Sequence, residues 1–229
     1  MEAIKSESAQ TTKLSKIAQF QADLQKFYRS IEAVLPKNCG ITVDSFCVST
    51  INSVKSNPKL LQCDQQSLFG SILLSAECGL RFNTPDQHAF ISAKGREAHF
   101  MIGYKGLIEM MYRNTRVLSV SAEAVYENDE FEYGYGLTPY LKHIPKRKGD
   151  RGKLDAVYTI CKLRDADHIF TVVEKQQLDE IRAIADKGNP EQKSDSMNNL
   201  DIHNFMSIKA AVKKLSKMLP KSGVTEISA

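Results

Sequence analysis

The sequence predicts an α+β fold: N-terminal helices, a central antiparallel β-rich core with an inserted helix, and a basic C-terminal helix. Three observations carry that expectation. Apolar residues recur at helical spacing from Leu14 to Ala76. After Pro85 the pattern shifts to alternation, the mark of half-buried strands. A last segment, from about Asp201 to Leu219, returns to helical spacing and carries lysines along one flank. Helices, then strands, then helices is a segregated order, whereas a doubly wound parallel sheet would alternate them.

Leu14, Ile17, Leu24, Phe27, Ile31 and Val34 recur at near-helical intervals, and Pro36 ends that helix. Thr42 or Asp44 can cap a second helix, whose apolar side holds Phe46, Cys47, Thr50, Ile51 and Val54 and which stops at Asn57-Pro58. Asp64 can cap a third, with Leu68, Ile72, Leu73 and Ala76 facing one way and Gly79 as a left-handed stop. Ala89 to Ala93 and Ala98 to Ile102 read as strands joined around Lys94-Gly95-Arg96, where glycine suits a hairpin turn. A helix from about 104 to 114 is inserted next, burying Leu107, Ile108, Met110 and Met111 on one wide face. Strands follow over 117 to 126, Phe131 to Tyr133, Tyr140 to Ile144, Leu154 to Leu163 and His168 to Val173. Glu174 to Asp186 is helical through Leu178, Ile181 and Ile184, and residues 187 to 200 have the Gly, Pro, Ser and Asn content of a mobile loop. Residues 1 to 12 and 222 to 229 are expected to be tails, and 13 to 221 a single domain.

Bulk composition narrows the class. Hydrophobic residues make up 42% of 229, enough for a sizeable core. The net charge is only +4, so an argument about polyanions must rest on where the cations sit. Five cysteines (Cys39, Cys47, Cys63, Cys78, Cys161) stand in no CxxC pair, which suits buried free thiols in a reducing cytoplasm. No apolar run reaches the length of about 18 residues that a membrane span needs, and the polar N-terminus does not suit a secretory signal. There is no GxxxxGK[ST], no GxGxxG and no HExxH, and the histidines His88, His99, His143, His168 and His203 are isolated. No catalytic and no metal-binding residue is assigned.

Four blocks stand out: CGLRFNTPDQHAF (78 to 90), IGYKGLIEM (102 to 110), AEAVYENDEFEYGYGLTP (122 to 139) and MSIKAAVKKLSKMLP (206 to 220). In this order and spacing they resemble the RecT family of phage and prophage single-strand annealing proteins. The resemblance implies ATP-independent binding and annealing of DNA in oligomers or filaments during homologous recombination, within a bacterial host cytoplasm. It also implies, as partners, an exonuclease that makes single-stranded tails and a host single-strand-binding protein. Many relatives carry a longer region after the basic helix, so such contacts are expected to be reduced here. The family's Lys-Thr pair in the basic segment is replaced by Lys209-Ala210.

Read on their own, the residues offer three cationic surfaces. In the last helix Phe205, Ile208, Val212, Leu215 and Leu219 form one apolar stripe; Lys209, Lys213 and Lys217 step by four along its flank, with Lys214 further round. No acid lies between Ile202 and Thr225. Such a row suits a polyanion, because each phosphate contact releases counterions; a solvated basic face is the alternative. The second surface joins Lys94 and Arg96 at the hairpin tip to Tyr104 and Lys105 in the GYKG turn, with Arg113 and Arg116 beyond the helix. The turn's glycines let another backbone approach, and Tyr104 is read either as a base-stacking ring or as a core aromatic. The third surface is the loop KHIPKRKGDRGK from Lys142 to Lys153, read either as a phosphate track or as a solubilising loop.

The acidic run Glu127, Asp129, Glu130 and Glu132 admits contact with a neighbouring subunit, Mg²⁺ binding during annealing, or a charge-protected strand edge. The expected function is therefore non-enzymatic single-strand annealing, requiring no cofactor, with a basic groove between the β-rich core and the last helix. The ligands are single-stranded DNA and the annealed duplex, and the assembly a homo-oligomer. The rivals are a metal-dependent nuclease using Asp129, Glu130, Asp155 or Glu174, and a purely structural oligomer.

Overall fold

The structure, a computed structural model, describes residues 16–188 and 205–219. The two expected tails, residues 189 to 200 of the expected loop and the expected helical start at 201 to 204 lie outside the described residues. The fold is α+β, and every ladder is antiparallel. The described chain forms two compact units, the first running to Arg113 and the second beginning at Asn114.

The first unit contains α1 (16–26), α2 (Tyr28–Val34), α3 (Val43–Ser56), α4 (Gln65–Glu77), a hairpin of β1 (Ala89–Lys94) and β2 (Glu97–Ile102), and α5 (Tyr104–Tyr112). The helix expected from Leu14 to Pro36 is divided at Phe27. The Phe27 amide donates to the Leu24 carbonyl, three residues back, which tightens the turn. Its ring stacks on Phe69 with centroids 4.4 Å apart, and Phe20, which the apolar pattern passed over, stacks on the same ring. Of the two caps open to α3, Thr42 serves, accepting from the Ser45 amide at 3.2 Å; Asp44 accepts instead from the Tyr28 hydroxyl at 2.8 Å. Asp64 caps α4 as expected, accepting from the Ser67 amide at 2.9 Å. Leu24, Ile31, Phe46, Val54, Leu60, Ile72, Leu80, Phe82 and Ile91 fill one core. Burial of each such side chain contributes about 1.5–3 kcal/mol before the entropy of ordering it.

Uncharged side chains finish the edges of the hairpin. Ala98 of β2 donates to Ser67 Oγ at 3.1 Å and accepts from Ser71 Oγ at 2.9 Å, two hydroxyls one turn apart on α4. On β1, the Asn83 carboxamide accepts from the Ile91 amide at 3.1 Å and donates to the Ile91 carbonyl at 2.9 Å. Each pair takes the place of a missing strand, so the backbone groups of a two-stranded ribbon are not left unmatched.

In the second unit, β3 (Val117–Tyr126), β6 (Leu154–Leu163) and β7 (Ile169–Glu174) form a sheet in the order β3-β6-β7, and β4 (Glu130–Gly134) pairs with β5 (Tyr140–Ile144). Successive β6 residues face opposite sides. Ala156 and Tyr158 join Val125, Phe170 and Val172 in a cluster with Phe131, Tyr133 and Leu141 of the hairpin. Val157 joins Val173, Leu178 of α6 (Lys175–Gly188) and Ala211 of α7 (Phe205–Ser216). The layers are therefore hairpin, sheet and helices. Cys78 and Cys161 are buried, and all five cysteines are free. Among the described residues no helix is long and apolar enough to cross a membrane.

Candidate nucleic-acid interface

In the first unit the hairpin closes at Lys94↔Glu97 around Gly95 and Arg96. The Arg96 carbonyl accepts from the Asp64 amide at 2.6 Å, which ties the tip to the capping residue of α4. Lys94, Arg96 and Lys105 are exposed, and Tyr104 is half-buried. The glycines of the GYKG turn admit the chain's own backbone. The Gly103 amide donates to the His88 carbonyl at 2.9 Å. A Cβ at Gly103 would stand 2.3 Å from the Gln87 carbonyl oxygen, and one at Gly106 would stand 2.1 Å from that of His88. The close approach anticipated for a ligand is thus already made by residues 87 and 88. Arg113, just past α5, donates to the carbonyls of Cys78 at 2.6 Å and Gly79 at 2.8 Å, satisfying the open end of α4.

In the second unit α7 lies against β6 and β7, burying Ser207, Ala211, Val212 and Leu215, with Ile208 partly buried. The side chain of Phe205, the first member of the expected stripe, lies outside the described residues. Lys213 and Lys217 are exposed. Lys209 is half-buried, and burial, followed by the charge of Lys213, lowers its pKa from the usual lysine range. Lys214 turns back to the sheet, donating to the Val172 carbonyl at 2.9 Å. The Val172 amide donates to the Tyr135 hydroxyl at 3.1 Å, so two side chains cover that edge of β7. Arg116, at the start of this unit, is exposed.

The acidic run and the basic loop are largely matched to one another. The Asp129 side chain is completely buried and accepts from Arg151 Nε at 3.0 Å, Arg151 Nη2 at 2.5 Å, the amides of Lys146 at 2.9 Å and Tyr126 at 3.0 Å, and pairs with His143 Nε2 at 3.2 Å. Arg151 and these donors hold its carboxyl well below the usual carboxylate range, against the opposing effect of burial. The Arg151 guanidinium also lies 4.2 Å from the centre of the Tyr126 ring. Glu130 pairs with Lys142, Glu127 accepts from the Lys153 amide at 3.1 Å, and Glu174 accepts from the Tyr133 hydroxyl at 2.5 Å. That last bond pushes the Tyr133 pKa up to about 12. No three His, Cys, Asp or Glu side chains gather where they could hold a metal ion, among the described residues.

The structure thus sorts the candidate cations. Arg113, Lys142 and Lys214 are engaged within the fold. Lys94, Arg96, Lys105, Arg116, Lys209, Lys213 and Lys217 take part in no ion pair among the described residues. Periodicity set Lys214 further round the helix than Lys213, but could not show that it reaches the Val172 carbonyl of a strand 42 residues away. Arg81, absent from the candidate surfaces, lines a groove beside α3; its only sequence signal is a lone cation within the block CGLRFNTPDQHAF.

Comparison with known proteins places this geometry. The chain is 27% identical over 202 residues to Protein RecT of Escherichia coli (strain K12), an alignment covering 84% of this chain and 71% of that protein. The RecT family matches residues 44–227, which reaches from α3 to α7 and so covers part of the first unit and the whole of the second. By that extent the chain belongs to the RecT family, whose role is single-strand annealing in recombination.

Proposed function

We propose that the protein binds single-stranded DNA by its phosphates and anneals complementary strands without ATP, as a homo-oligomer and without covalent catalysis. The observation that carries this reading is the set of cations outside every ion pair among the described residues. Lys213 and Lys217 on α7, and Lys94, Arg96 and Lys105 in the first unit, face solvent and join no such pair. Exposed helices usually mix signs, whereas unpaired ammonium groups release counterions when they meet phosphates. A strand held by its backbone leaves its base edges available, so the second strand is selected by base pairing and the protein needs no sequence readout. Neighbouring subunits along one strand make binding cooperative. An exonuclease that supplies single-stranded ends and a host single-strand-binding protein are the partners this role calls for.

The nuclease reading draws less support. Asp129, Glu130 and Glu174 are each held by another side chain, and Asp155 of that set has no such partner among the described residues. Two labelled complementary oligonucleotides mixed with the protein, without ATP, test the proposal. Faster duplex formation with labelled strands of unchanged length is expected; shortened strands, or no retardation of either strand at low salt, would contradict it.

A further inference from the structure

Beside α3 lies a groove of about 680 Å³ that the lysine surfaces do not include. Ser45, Ser49, Asn52 and Ser56 line one wall and Arg81 and Thr84 the other. Four α3 positions spaced by four, three and four residues share one helix face. They extend over about 16 Å, the length of about five stacked nucleotides.

Arg81 is the unexplained group. Its guanidinium carries five N–H donors. One long contact, 3.5 Å from Nη2 to Ser45 Oγ, is the hydrogen bond found for it among the described residues. Its Nε is buried with no partner among the described residues, and so is Thr84 Oγ1. Buried donors normally find acceptors, so a guanidinium held in this state at a groove wall is short of oxygen atoms. The only acid in the lining, Asp44, accepts from the Tyr28 hydroxyl and makes no ion pair with Arg81. Val48 and Pro85 are the apolar side chains of the lining, too few to anchor a peptide, which binds through buried aromatic or aliphatic groups. The guanidinium, hydroxyl and amide donors of the lining suit a ligand rich in acceptors.

We propose that this groove is a phosphate-binding subsite for a DNA strand, in which Arg81 holds a phosphodiester and the α3 hydroxyl and amide groups contact its neighbours. The inference rests on the single-strand-binding reading above and adds a contact that does not depend on the lysines of α7. Guanidinium and phosphate match in a two-point geometry, and the hydroxyls donate to the remaining oxygens.

The test uses the full chain, a fluorescent oligothymidylate and a salt series, with Arg81→Gln, Asn52→Asp and Lys213→Glu compared. Asn52 is exposed, so Asn52→Asp places a repelling charge in the groove while leaving Arg81 in place. Arg81→Gln is expected to weaken binding about five- to tenfold. It should also lower the slope of log affinity against log salt by about 0.7. Asn52→Asp should weaken binding with an unchanged melting temperature, and it decides the matter if Arg81→Gln alters the fold. Wild-type affinity in Asn52→Asp, together with wild-type affinity and slope in any folded Arg81→Gln, overturns the subsite; if Lys213→Glu still weakens binding, the single-strand reading survives. No binding of oligothymidylate by the unaltered protein at low salt overturns both.

Discussion

The two units solve the same problem with different chemistry. Each contains a small antiparallel sheet whose exposed backbone needs partners. The first unit uses neutral groups: Ser67 and Ser71 on Ala98, and Asn83 on Ile91. The second adds charge: Lys214 on the Val172 carbonyl, beside the neutral Tyr135 hydroxyl on the Val172 amide, and Asp129 joining Arg151 to the amides of Tyr126 and Lys146. The first unit also has an acid with a lowered pKa, Asp23, held by Lys26, Gln19 and Gln65, but it ties helices and not sheet edges. A neutral bond is indifferent to pH and salt, whereas a buried carboxylate makes its unit depend on both. On the proposed function, charge in this protein has two separate tasks, and the cations left over from folding are those available to a ligand.

The contrast can be broken most forcefully at Asp129. Asp129→Asn should cost about 3 kcal/mol of stability, because a buried carboxamide cannot accept from Arg151 and from the Lys146 and Tyr126 amides together. Amide hydrogen exchange should locate the loss in the second unit. Because the folded state holds the Asp129 pKa low, the unfolded chain takes up the proton first. The stabilisation is then full above the ordinary carboxylate range, near pH 4, and fades as pH falls toward the depressed folded value. Denaturant titrations down the pH scale should show that fading in the wild type and much less of it in Asp129→Asn. Equal acid sensitivity of the two proteins would show that the network is not what makes the second unit pH-dependent.

Next in size is Gly106→Ala. Its Cβ would meet the His88 carbonyl at 2.1 Å, and the backbone shift should cost about 2 kcal/mol. Increased exchange should appear in the first unit with no change in pH dependence. A neutral result would mean that the GYKG turn has space for a ligand backbone after all. Smallest is Ser71→Ala, which leaves the Ala98 carbonyl without its hydroxyl and should cost about 1 kcal/mol, equally at pH 5 and pH 8. A pH-dependent loss there would blur the division between neutral and charged edges.

Much of the architecture was legible because period and punctuation are local. The spans Tyr140–Ile144 and Leu154–Leu163, the caps Thr42 and Asp64 and the hairpin around Gly95 follow from neighbours in the chain. What local pattern could not show was which polar groups meet across distance. Asp129 and Arg151 are 22 residues apart, Lys214 and Val172 are 42 apart, and Arg113 and Cys78 are 35 apart. Each pairing removes one charge from the pool that composition suggests is available. The glycines of GYKG were read correctly as sites of close approach, but the approaching backbone is residues 87 and 88. In the same way, the ring at the Phe27 break stacks on Phe69, a contact that no periodicity within the first helix reveals.

The central claim is that the cations left unpaired by folding hold a strand by its phosphates. The direct measurement is the salt dependence of oligothymidylate binding by the double variant Lys213→Glu, Lys217→Glu, both exposed and outside every ion pair among the described residues. The expected result is an unchanged melting temperature, slower annealing, and a salt slope lower by about 0.7 for each phosphate no longer neutralised. Wild-type affinity, slope and annealing rate in that variant would contradict the claim.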